Sequence, residues 1–460
     1  MRRCPRSTAI GTAVALLFGL LALPAQAHQG RQGNPARGVF TTKTAYVPQA
    51  GIGSYQHAPA GFRPVFTENV SRHGARTLTN SDDGDALLAL WNVAKPANAL
   101  TPVGRGLGPD IQALLAANAR DGFGLLTDEG RREMRTTAQR MVQRLPSLFD
   151  AAARTGSPLK IDVTAASQQR TVDSATAFVG GLTAAEPGLA AVIQPTRTDD
   201  ALLDFHTSNP AYLDYLANDP RVPAAEQAAT DQPRTHAVAR AVLERSFTRA
   251  FVDRITAGEF ADQFPDEIAA ADAVYALDQV TVDLPGEGDF HLDRYISLDQ
   301  AAWFGYLDDV TSFYENGPAF AGDDVTFRMA GVLLDDMFAQ LDAKRNGTSD
   351  LAADLRFTHA EEIFPLATLL GLPGSTKQLP QSTLFTYADD PFRGAEIAPM
   401  GANIQWDLFT NGRTYLVRML YDEQQTAFRA ACAPIHRGSA FYSLDELEHC
   451  YGRSPRAATN

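Results

Sequence analysis

Three short hydrophobic segments of this chain each run directly into polar, reactive side chains. The polar groups begin at Ser71, Thr164 and His359. The hydrophobic segments before them are residues 64–70, 159–163 and 355–358. Apolar runs of this length indicate buried β-strands. Because ligands bind at the carboxyl ends of strands in an open α/β sheet, the three polar strand ends are predicted to converge on one crevice.

Helical patterns fill much of the sequence between these segments. Residues 127–149 and 172–182 have helical periodicity, with Asp128 and Glu129 at the start of the first pattern. After residue 187 the sequence becomes rich in Ala and Asp. Amphipathic runs at 235–255 and 322–343 predict further helices there.

These patterns predict the fold class and the domain organisation. The chain has 460 residues, of which 45% are hydrophobic, so it can bury a large core. We expect an α/β core with a mainly parallel sheet flanked by helices, formed by residues 39–186 and 351–460. Residues 187–350 are predicted to form a mainly helical cap inserted into that core.

The N-terminus has the features of a secretory signal peptide. Three arginines precede an apolar stretch at residues 13–23, and small residues follow up to Ala27. We expect cleavage near Ala27, a flexible segment at 28–38, and a secreted or periplasmic protein without stable membrane association. A retained N-terminal anchor is the alternative, although the apolar stretch is shorter than the roughly 20 residues of a membrane span.

Cys432 and Cys450 are the cysteines that remain when residues 1–27 are removed. An even pair in an oxidising compartment predicts a disulfide. Two free thiols are the alternative. His436 and His449 lie nearby in sequence, but the chain has no Cys-x-x-Cys pair to form a zinc site, so no metal is predicted.

The net charge limits the partners that this protein can bind. The formal net charge is −14, and loss of the arginine-containing leader would make it more negative. Nucleic acid and anionic membranes are therefore excluded as partners on electrostatic grounds. A phosphate-rich ligand would need a locally positive pocket in this acidic protein.

The first strand end carries the densest group of reactive residues. His73 lies between Arg72 and Arg76 and is followed by Gly74. Guanidinium groups bind phosphate oxygens in a bidentate manner, and a glycine lets the backbone approach a ligand closely. The neighbouring cations should keep His73 neutral and able to attack phosphorus. The alternative is a basic surface segment with an ordinary histidine.

The other two strand ends supply candidate partners for His73. Arg170 begins a helical pattern after the second strand, where it could help to stabilise a phosphoryl transition state. His359 and Glu361 follow the third strand, so that His359 could contact the phosphate and Glu361 could protonate a leaving alcohol. Alternatively, Arg170 is solvated, and Glu361 and Glu362 only start a helix.

Two further patterns are interpreted as unrelated to catalysis. Gly residues at 104–108 lack the G-x-G-x-x-G spacing and follow no strand pattern, which indicates a turn. Serines near His57 and His206 have no orienting acid, so the sequence gives little support for a serine hydrolase.

The sequence resembles the acid phosphatase and phytase branch of the histidine phosphatase superfamily. Residues 72–76, Arg-His-Gly-Ala-Arg, look like its signature. Most members have His-Asp at the downstream motif, whereas the His-Ala-Glu at 359–361 is similar to multiple inositol polyphosphate phosphatases. The order of other segments also matches, over nearly all of the chain after the leader: 42–46, 170–182, 355–372, Asn403, 415–418 and Cys432.

The resemblance implies a phosphoglycerate mutase-like α/β core with a helical cap, and no metal or organic cofactor. It implies that His73 is the nucleophile that forms a phosphohistidine and that Glu361 is the proton donor. The residues that it implies for phosphate or substrate binding are Lys43, Arg72, Arg76, Arg170 and His359. In this branch a proline usually lies two places after the second arginine. Leu78 occupies that position here, so altered loop geometry is expected.

The predicted function is stepwise hydrolysis of inositol polyphosphates such as phytate, as a secreted phosphomonoesterase. A broad-specificity acid phosphatase and a bisphosphoglycerate phosphatase are the alternatives within enzymes. A non-catalytic exported protein that binds polyanions is the alternative from another class. In each case the partner is a small-molecule phosphate ester.

Overall fold

The computed structural model describes residues 38–453. The predicted signal peptide at 1–27 and residues 28–37 of the predicted flexible segment lie outside the described residues.

The described residues form one eight-stranded sheet with the order β3-β2-β4-β1-β5-β6-β7, in which β8 pairs with β6. Its strands are β1 (Arg63–Arg72), β2 (Lys160–Ala165), β3 (Arg197–Thr198), β4 (Leu351–Thr358), β5 (Asn403–Thr410), β6 (Tyr415–Tyr421), β7 (Gln424–Thr426) and β8 (Phe441–Ser443). Strands β3, β2, β4 and β1 are parallel. The remaining pairings are antiparallel, so the sheet is mixed, and the predicted parallel arrangement holds for the half that contains the three predicted strands.

The central strands are buried on both faces. All of β4 and the last seven residues of β1 are buried. Both strands nevertheless carry charged side chains, which are paired inside the sheet. Arg356 Nη1 lies 3.1 Å from Glu68 Oε2, and Arg356 Nη2 lies 2.8 Å from Asp354 Oδ2. Pairing of this kind is what allows ionised groups to be buried in the interior.

Helices cover both faces of the sheet and connect the strands. Those before β3 are α1 (Asp82–Ala94), α2 (Leu107–Asp121), α3 (Asp128–Arg144), α4 (Pro146–Ala153) and α5 (Gln169–Ala185). The single helix predicted over 127–149 is in fact two helices. Pro146 occupies the first turn of α4, because proline fits a helix start but cannot donate a hydrogen bond within a helix.

The stretch at 187–350 is mainly helical, as predicted. Its helices are α6 (Asp200–Leu203), α7 (Pro210–Asn218), α8 (Arg221–Thr230), α9 (Pro233–Ser246), α10 (Arg249–Thr256), α11 (Glu267–Val280), α12 (Leu298–Glu315), α13 (Val325–Arg328) and α14 (Gly331–Arg345). The amphipathic runs at 235–255 and 322–343 each correspond to two helices rather than one. The chain returns to the sheet at β4. The division into a core domain and a cap domain stays a prediction.

The C-terminal part adds α15 (Ala360–Leu370), α16 (Gly394–Ile397) and α17 (Leu444–Cys450) to the antiparallel strands. The predicted disulfide between Cys432 and Cys450 is present, with 5.3 Å between the two Cα atoms. Among helices of the described residues, none has the length and hydropathy needed to cross a membrane.

Candidate active site

The three polar strand ends meet at one edge of the sheet. In the parallel pairings Arg72 lies opposite Thr358, and Ala165 lies opposite Phe357, so β1, β4 and β2 end at the same level. The backbone N–H of His73 donates a hydrogen bond to the carbonyl of Thr358 at 2.9 Å. The residues that follow these strands therefore face one crevice, as the sequence predicts.

His73 is buried in this crevice in a state suited to nucleophilic attack. Its Nδ1 lies 2.9 Å from the carbonyl oxygen of Gly74. Because a carbonyl only accepts hydrogen bonds, Nδ1 carries the proton and Nε2 keeps its lone pair. Burial, followed by the charge of Arg72, holds the pKa of His73 well below its usual range. The imidazole is thus neutral even in mildly acidic solution.

The arginines around His73 are not paired with carboxylates. Arg72, Arg76 and Arg170 form no ion pair with any described residue, and the Nε atom of each is buried without a hydrogen-bond partner. Buried arginines elsewhere in the described chain do have carboxylate partners, for example Arg144 and Arg418 on Asp407. Unpaired buried donors are costly unless a ligand accepts their hydrogen bonds. This group of donors is therefore prepared for an anion.

His359 adds a further donor to the same group. Arg170 Nη2 lies 3.3 Å from Nδ1 of His359, and the rings of His73 and His359 are 5.5 Å apart. Since a guanidinium can only donate, Nδ1 of His359 accepts, and the proton resides on Nε2. That Nε2 atom is buried without a partner. Burial and the charge of Arg170 lower the pKa of His359 to about 3.

Lys43 reaches the crevice from a 3₁₀ turn at Thr41–Lys43. Arg72 Nη1 holds this turn in place by donating hydrogen bonds to the carbonyl of Thr42 and, at 2.7 Å, to that of Ala398. Burial and the charge of Arg76 hold the pKa of Lys43 well below its usual range. The predicted cations thus lie close enough for their charges to act on one another.

Glu361 lies in the first turn of α15, two residues after His359. Burial favours its protonated form, but its own backbone N–H and the charges of nearby residues, including Arg72, outweigh burial and lower the pKa of Glu361. In the free protein the carboxyl group is therefore ionised at neutral pH.

Glu133 on α3 supports the nucleophile loop, a role that the sequence did not suggest. Its carboxylate accepts hydrogen bonds from the backbone N–H groups of Ala75 at 2.7 Å and Tyr46 at 3.0 Å. It thereby joins the loop after β1 to the segment that carries Lys43. The available signal was its position on the buried stripe of α3, one helical turn before Thr137.

Glycines allow α3 to approach this loop. A Cβ atom at Gly74 would lie only 2.6 Å from the carbonyl oxygen of Gly130 in α3.

Leu78, in place of the usual proline, donates its backbone N–H to Asn118 Oδ1 at 2.7 Å. A proline has no N–H to donate, so a different interaction fixes the loop at this position.

Two residues from the helical stretch also adjoin the site: Asp283, and His206 with its carboxylate neighbours. Asp283 follows α11 and is fully buried near the cations. His206 Nδ1 lies 2.5 Å from Glu362 Oε1 and 3.4 Å from Asp204 Oδ1, next to Glu361. Local patterns did not predict the His206–Glu362 contact, because the two residues are 156 positions apart in sequence.

The fold and the site together define a class: an α/β phosphatase with a neutral histidine among unpaired cations at the ends of parallel strands. The chain belongs to the histidine phosphatase superfamily (branch 2), whose family model matches residues 66–422.

Two multiple inositol polyphosphate phosphatases are among the proteins similar to this chain. The multiple inositol polyphosphate phosphatase of Bifidobacterium longum is 28% identical; in its apo form the TM-score is 0.86, with 92% of this chain and 99% of that chain covered. Its complex with inositol hexasulfate gives a TM-score of 0.84, covering 90% and 97%. Multiple inositol polyphosphate phosphatase 1 of Gallus gallus is 24% identical over 412 residues, 85% of this chain and 84% of that protein.

Proposed function

We propose that this protein hydrolyses inositol polyphosphates, including phytate, one phosphate at a time through a phosphohistidine at His73. The observation that carries the proposal is the group of buried, unpartnered donors around that histidine: the Nε atoms of Arg72, Arg76 and Arg170, and Nε2 of His359. Similarity to an enzyme whose structure is known with inositol hexasulfate and with phosphate supports the substrate class.

In the first chemical step, Nε2 of His73 attacks phosphorus, and the bond between phosphorus and the ester oxygen breaks. The electron pair of that bond goes to the leaving oxygen, which Glu361 protonates. A bound phosphate raises the pKa of Glu361 by like-charge repulsion, which favours the acid form that this step needs. The arginines and His359 stabilise the charge on the phosphoryl oxygens.

In the second step a water molecule attacks the phosphohistidine. Glu361, now ionised, accepts a proton from that water, the bond between phosphorus and Nε2 breaks, and inorganic phosphate leaves. His73 returns to its starting state because the hydrogen bond from Nδ1 to the carbonyl of Gly74 keeps the proton on the other nitrogen.

We also propose that the protein is exported after cleavage near Ala27. The Cys432–Cys450 disulfide supports an oxidising compartment, and the acidic composition fits an exported protein that does not bind anionic membranes. The contributions of His206 and Asp283 to the site support the proposal that residues 187–350 act as a substrate-facing cap.

Release of inorganic phosphate from phytate at pH 5 tests the function. We expect release by the wild type and none above background by His73→Ala. Turnover of p-nitrophenyl phosphate and of a bisphosphoglycerate, measured in parallel, separates the alternatives: comparable or faster turnover of these compounds contradicts a preference for inositol polyphosphates. Phytate binding without release favours the non-catalytic polyanion-binding protein.

A further inference from the structure

Asp283 is a buried carboxylate that forms no ion pair with any described residue. It ends a 3₁₀ turn at Thr281–Asp283, and its exposed fraction is 0%. Both carboxylate oxygens are buried without a hydrogen-bond partner among the described residues. A buried carboxylate in this state is unfavourable unless it is neutralised or a ligand interacts with it.

The surroundings of Asp283 are the cations of the phosphate site. The charges of Lys43, Arg76 and Arg72 act on it, and the Arg76 backbone N–H lies near enough to lower its pKa. Asp283 nevertheless forms no ion pair with any described residue, so no cationic nitrogen lies within 4.0 Å of its oxygens. An ordinary counterion would contact its cations directly. Here no described cation contacts the carboxyl group directly, so the charges of both remain available to a ligand.

We infer that Asp283 is a substrate-binding residue that makes phosphate binding depend on pH. Protonated, it donates a hydrogen bond to an oxygen of the phosphate bound by Lys43 and Arg76; ionised, it repels that phosphate. The inference rests on the proposed function, because it assigns a role within the same phosphate site.

The electrostatics of the free protein are consistent with this role. Burial raises the pKa of Asp283 to about 7, even though Lys43 and Arg76 lower it. A bound phosphate adds a like charge beside the carboxyl group and raises the pKa further. Phosphate binding should therefore take up a proton from solution near and above neutral pH.

Other titratable groups also interact with Asp283, and their effects on binding must be distinguished from its own. Glu133 on α3, whose pKa burial raises to about 8, interacts electrostatically with Asp283. The charges of Lys43, Arg72 and Arg76 act on it as well. A substitution at Asp283 leaves all of these groups in place, so the difference between variant and wild type isolates its contribution.

The test measures binding of inositol hexasulfate by titration calorimetry at pH 5 and at pH 8. Sulfate esters stay ionised across this range, so any pH dependence comes from the protein. At pH 8 only about a tenth of a carboxyl group with a pKa of about 7 is protonated, and we expect Asp283→Asn to bind about tenfold more tightly than the wild type. At pH 5 the two should bind equally well.

Asp278→Asn is the matched control. Asp278 lies on α11 and, like Asp283, is buried. Burial and the charge of Asp293, rather than groups of the phosphate site, raise its pKa to about 7. This variant should keep the pH dependence of the wild type. Asp283→Ala is the second variant, since it removes the same ionisable group if Asp283→Asn fails to fold.

The outcomes separate this inference from the proposed function. Equal pH dependence in the wild type and in both Asp283 variants overturns the inference but leaves the proposed function standing. Failure of the wild type to bind inositol hexasulfate at either pH overturns both. Tighter binding by Asp283→Asn at pH 8 only, with the extra proton uptake lost in both Asp283 variants, supports the inference.

Discussion

Donors without partners are the main feature of the site at the scale of single residues. In a folded protein, burial of a guanidinium nitrogen without a hydrogen bond costs on the order of 1–3 kcal/mol. Arg72, Arg76 and Arg170 each have one such atom, and so does His359. A phosphate that accepts these hydrogen bonds recovers that cost on binding. The site is thus prepared for its ligand before the ligand arrives.

Glu361→Gln tests the proton donor. For an alkyl phosphate ester, we expect formation of the phosphoenzyme to slow about 10²–10⁴-fold, because the alkoxide leaving group needs a proton. With p-nitrophenyl phosphate the effect should be much smaller, because nitrophenolate leaves without one. Stopped-flow and quenched-flow measurement of the first turnover separates this step from later hydrolysis.

Glu129→Gln, in the first turn of α3, is the control for this experiment and should leave both first-turnover rates unchanged. An equal loss for both esters in Glu361→Gln would show that this side chain acts on something other than the leaving group.

Much of the site could be predicted from the sequence. Its main residues follow directly after buried strands, and the hydrophobic pattern of those strands is visible in the sequence. Arg72, His73, Arg170 and His359 are brought together as the layout predicts. Glu133, Asp283 and His206 were missed, since their positions follow from packing between elements far apart in sequence. The buried stripe of α3 marks Glu133 as inward-facing, but no local pattern in a turn separates the role of Asp283 from ordinary surface exposure.

At the scale of elements, a buried ionic layer holds α3 and β6 against β5. Asp407 on β5 contacts Arg144 at 3.0 Å and Arg418 at 2.7 Å, and all three side chains are buried. Burial raises the pKa of Asp407, but the two guanidinium groups outweigh burial and lower it. This carboxylate therefore neutralises two cations inside the fold.

Asp407→Asn should destabilise the protein strongly. Removal of the charge leaves two buried guanidinium groups uncompensated, for which a loss of about 3–5 kcal/mol in the free energy of unfolding is expected. Urea denaturation measures this loss. Glu259→Gln is the control, because its partner Arg254 lies with it on the surface, and it should barely change the midpoint. A midpoint shift for Asp407→Asn as small as the control's contradicts the role assigned to this layer.

The first turn of α15 is linked to the helical stretch by His206. Asp204, His206 and Glu362 place their polar atoms within 4.8 Å of one another. Although burial opposes its charge, the hydrogen bond to Glu362 and nearby carboxylates raise the pKa of His206 to about 8. The folded state thus binds this proton more tightly than the unfolded chain does.

His206 is therefore expected to stabilise the fold most below pH 6.5, its ordinary range, and to lose that contribution as pH rises through about 8. Because the side chain is partly exposed, the expected size is about 1 kcal/mol. Between pH 6 and 8.5 in urea denaturation, the wild type should lose about this much more stability than His206→Gln does. His236→Gln, at a half-exposed pair with Glu267, is the control. The same pH dependence in wild type and His206→Gln would contradict the assignment.

The elements that sequence patterns predicted best are those with uniform burial. Strands β1, β2 and β4 were each identified, although all extend by one or more residues beyond the apolar run. Most of their additional residues are charged, polar or small, such as Arg72 and Ala165, and give little apolar signal. Strands β5 to β8 were not predicted, because polar side chains that pair inside the fold, such as Gln405 and Asp407, interrupt their hydrophobic pattern.

At the scale of the whole molecule, an acidic protein contains a cationic pocket. The formal net charge is −14, yet no described carboxylate pairs with the arginines of the site. At physiological ionic strength charges are screened over about 8 Å, so a bound phosphate responds mainly to the groups in its own pocket. Local arrangement, rather than net charge, therefore decides which anion binds.

The site is assembled from segments spread over much of the described chain. It combines a turn before β1, three strand ends, the start of α5 and of α15, and a turn after α11. Its parts come from residues as far apart as Lys43 and Glu361, which explains why no short segment of the sequence predicts the site by itself.

Chemical trapping of the phosphoenzyme tests the central claim most directly. Wild-type protein is mixed with phytate and quenched in alkali, in which phosphohistidine survives, and the phosphorylated peptide is identified by mass spectrometry. We expect the phosphate on His73, its loss on treatment with acid, and neither phosphopeptide nor phosphate release with His73→Ala. Phosphate on another residue, or phytate turnover by His73→Ala, would contradict the assignment of His73 as the nucleophile.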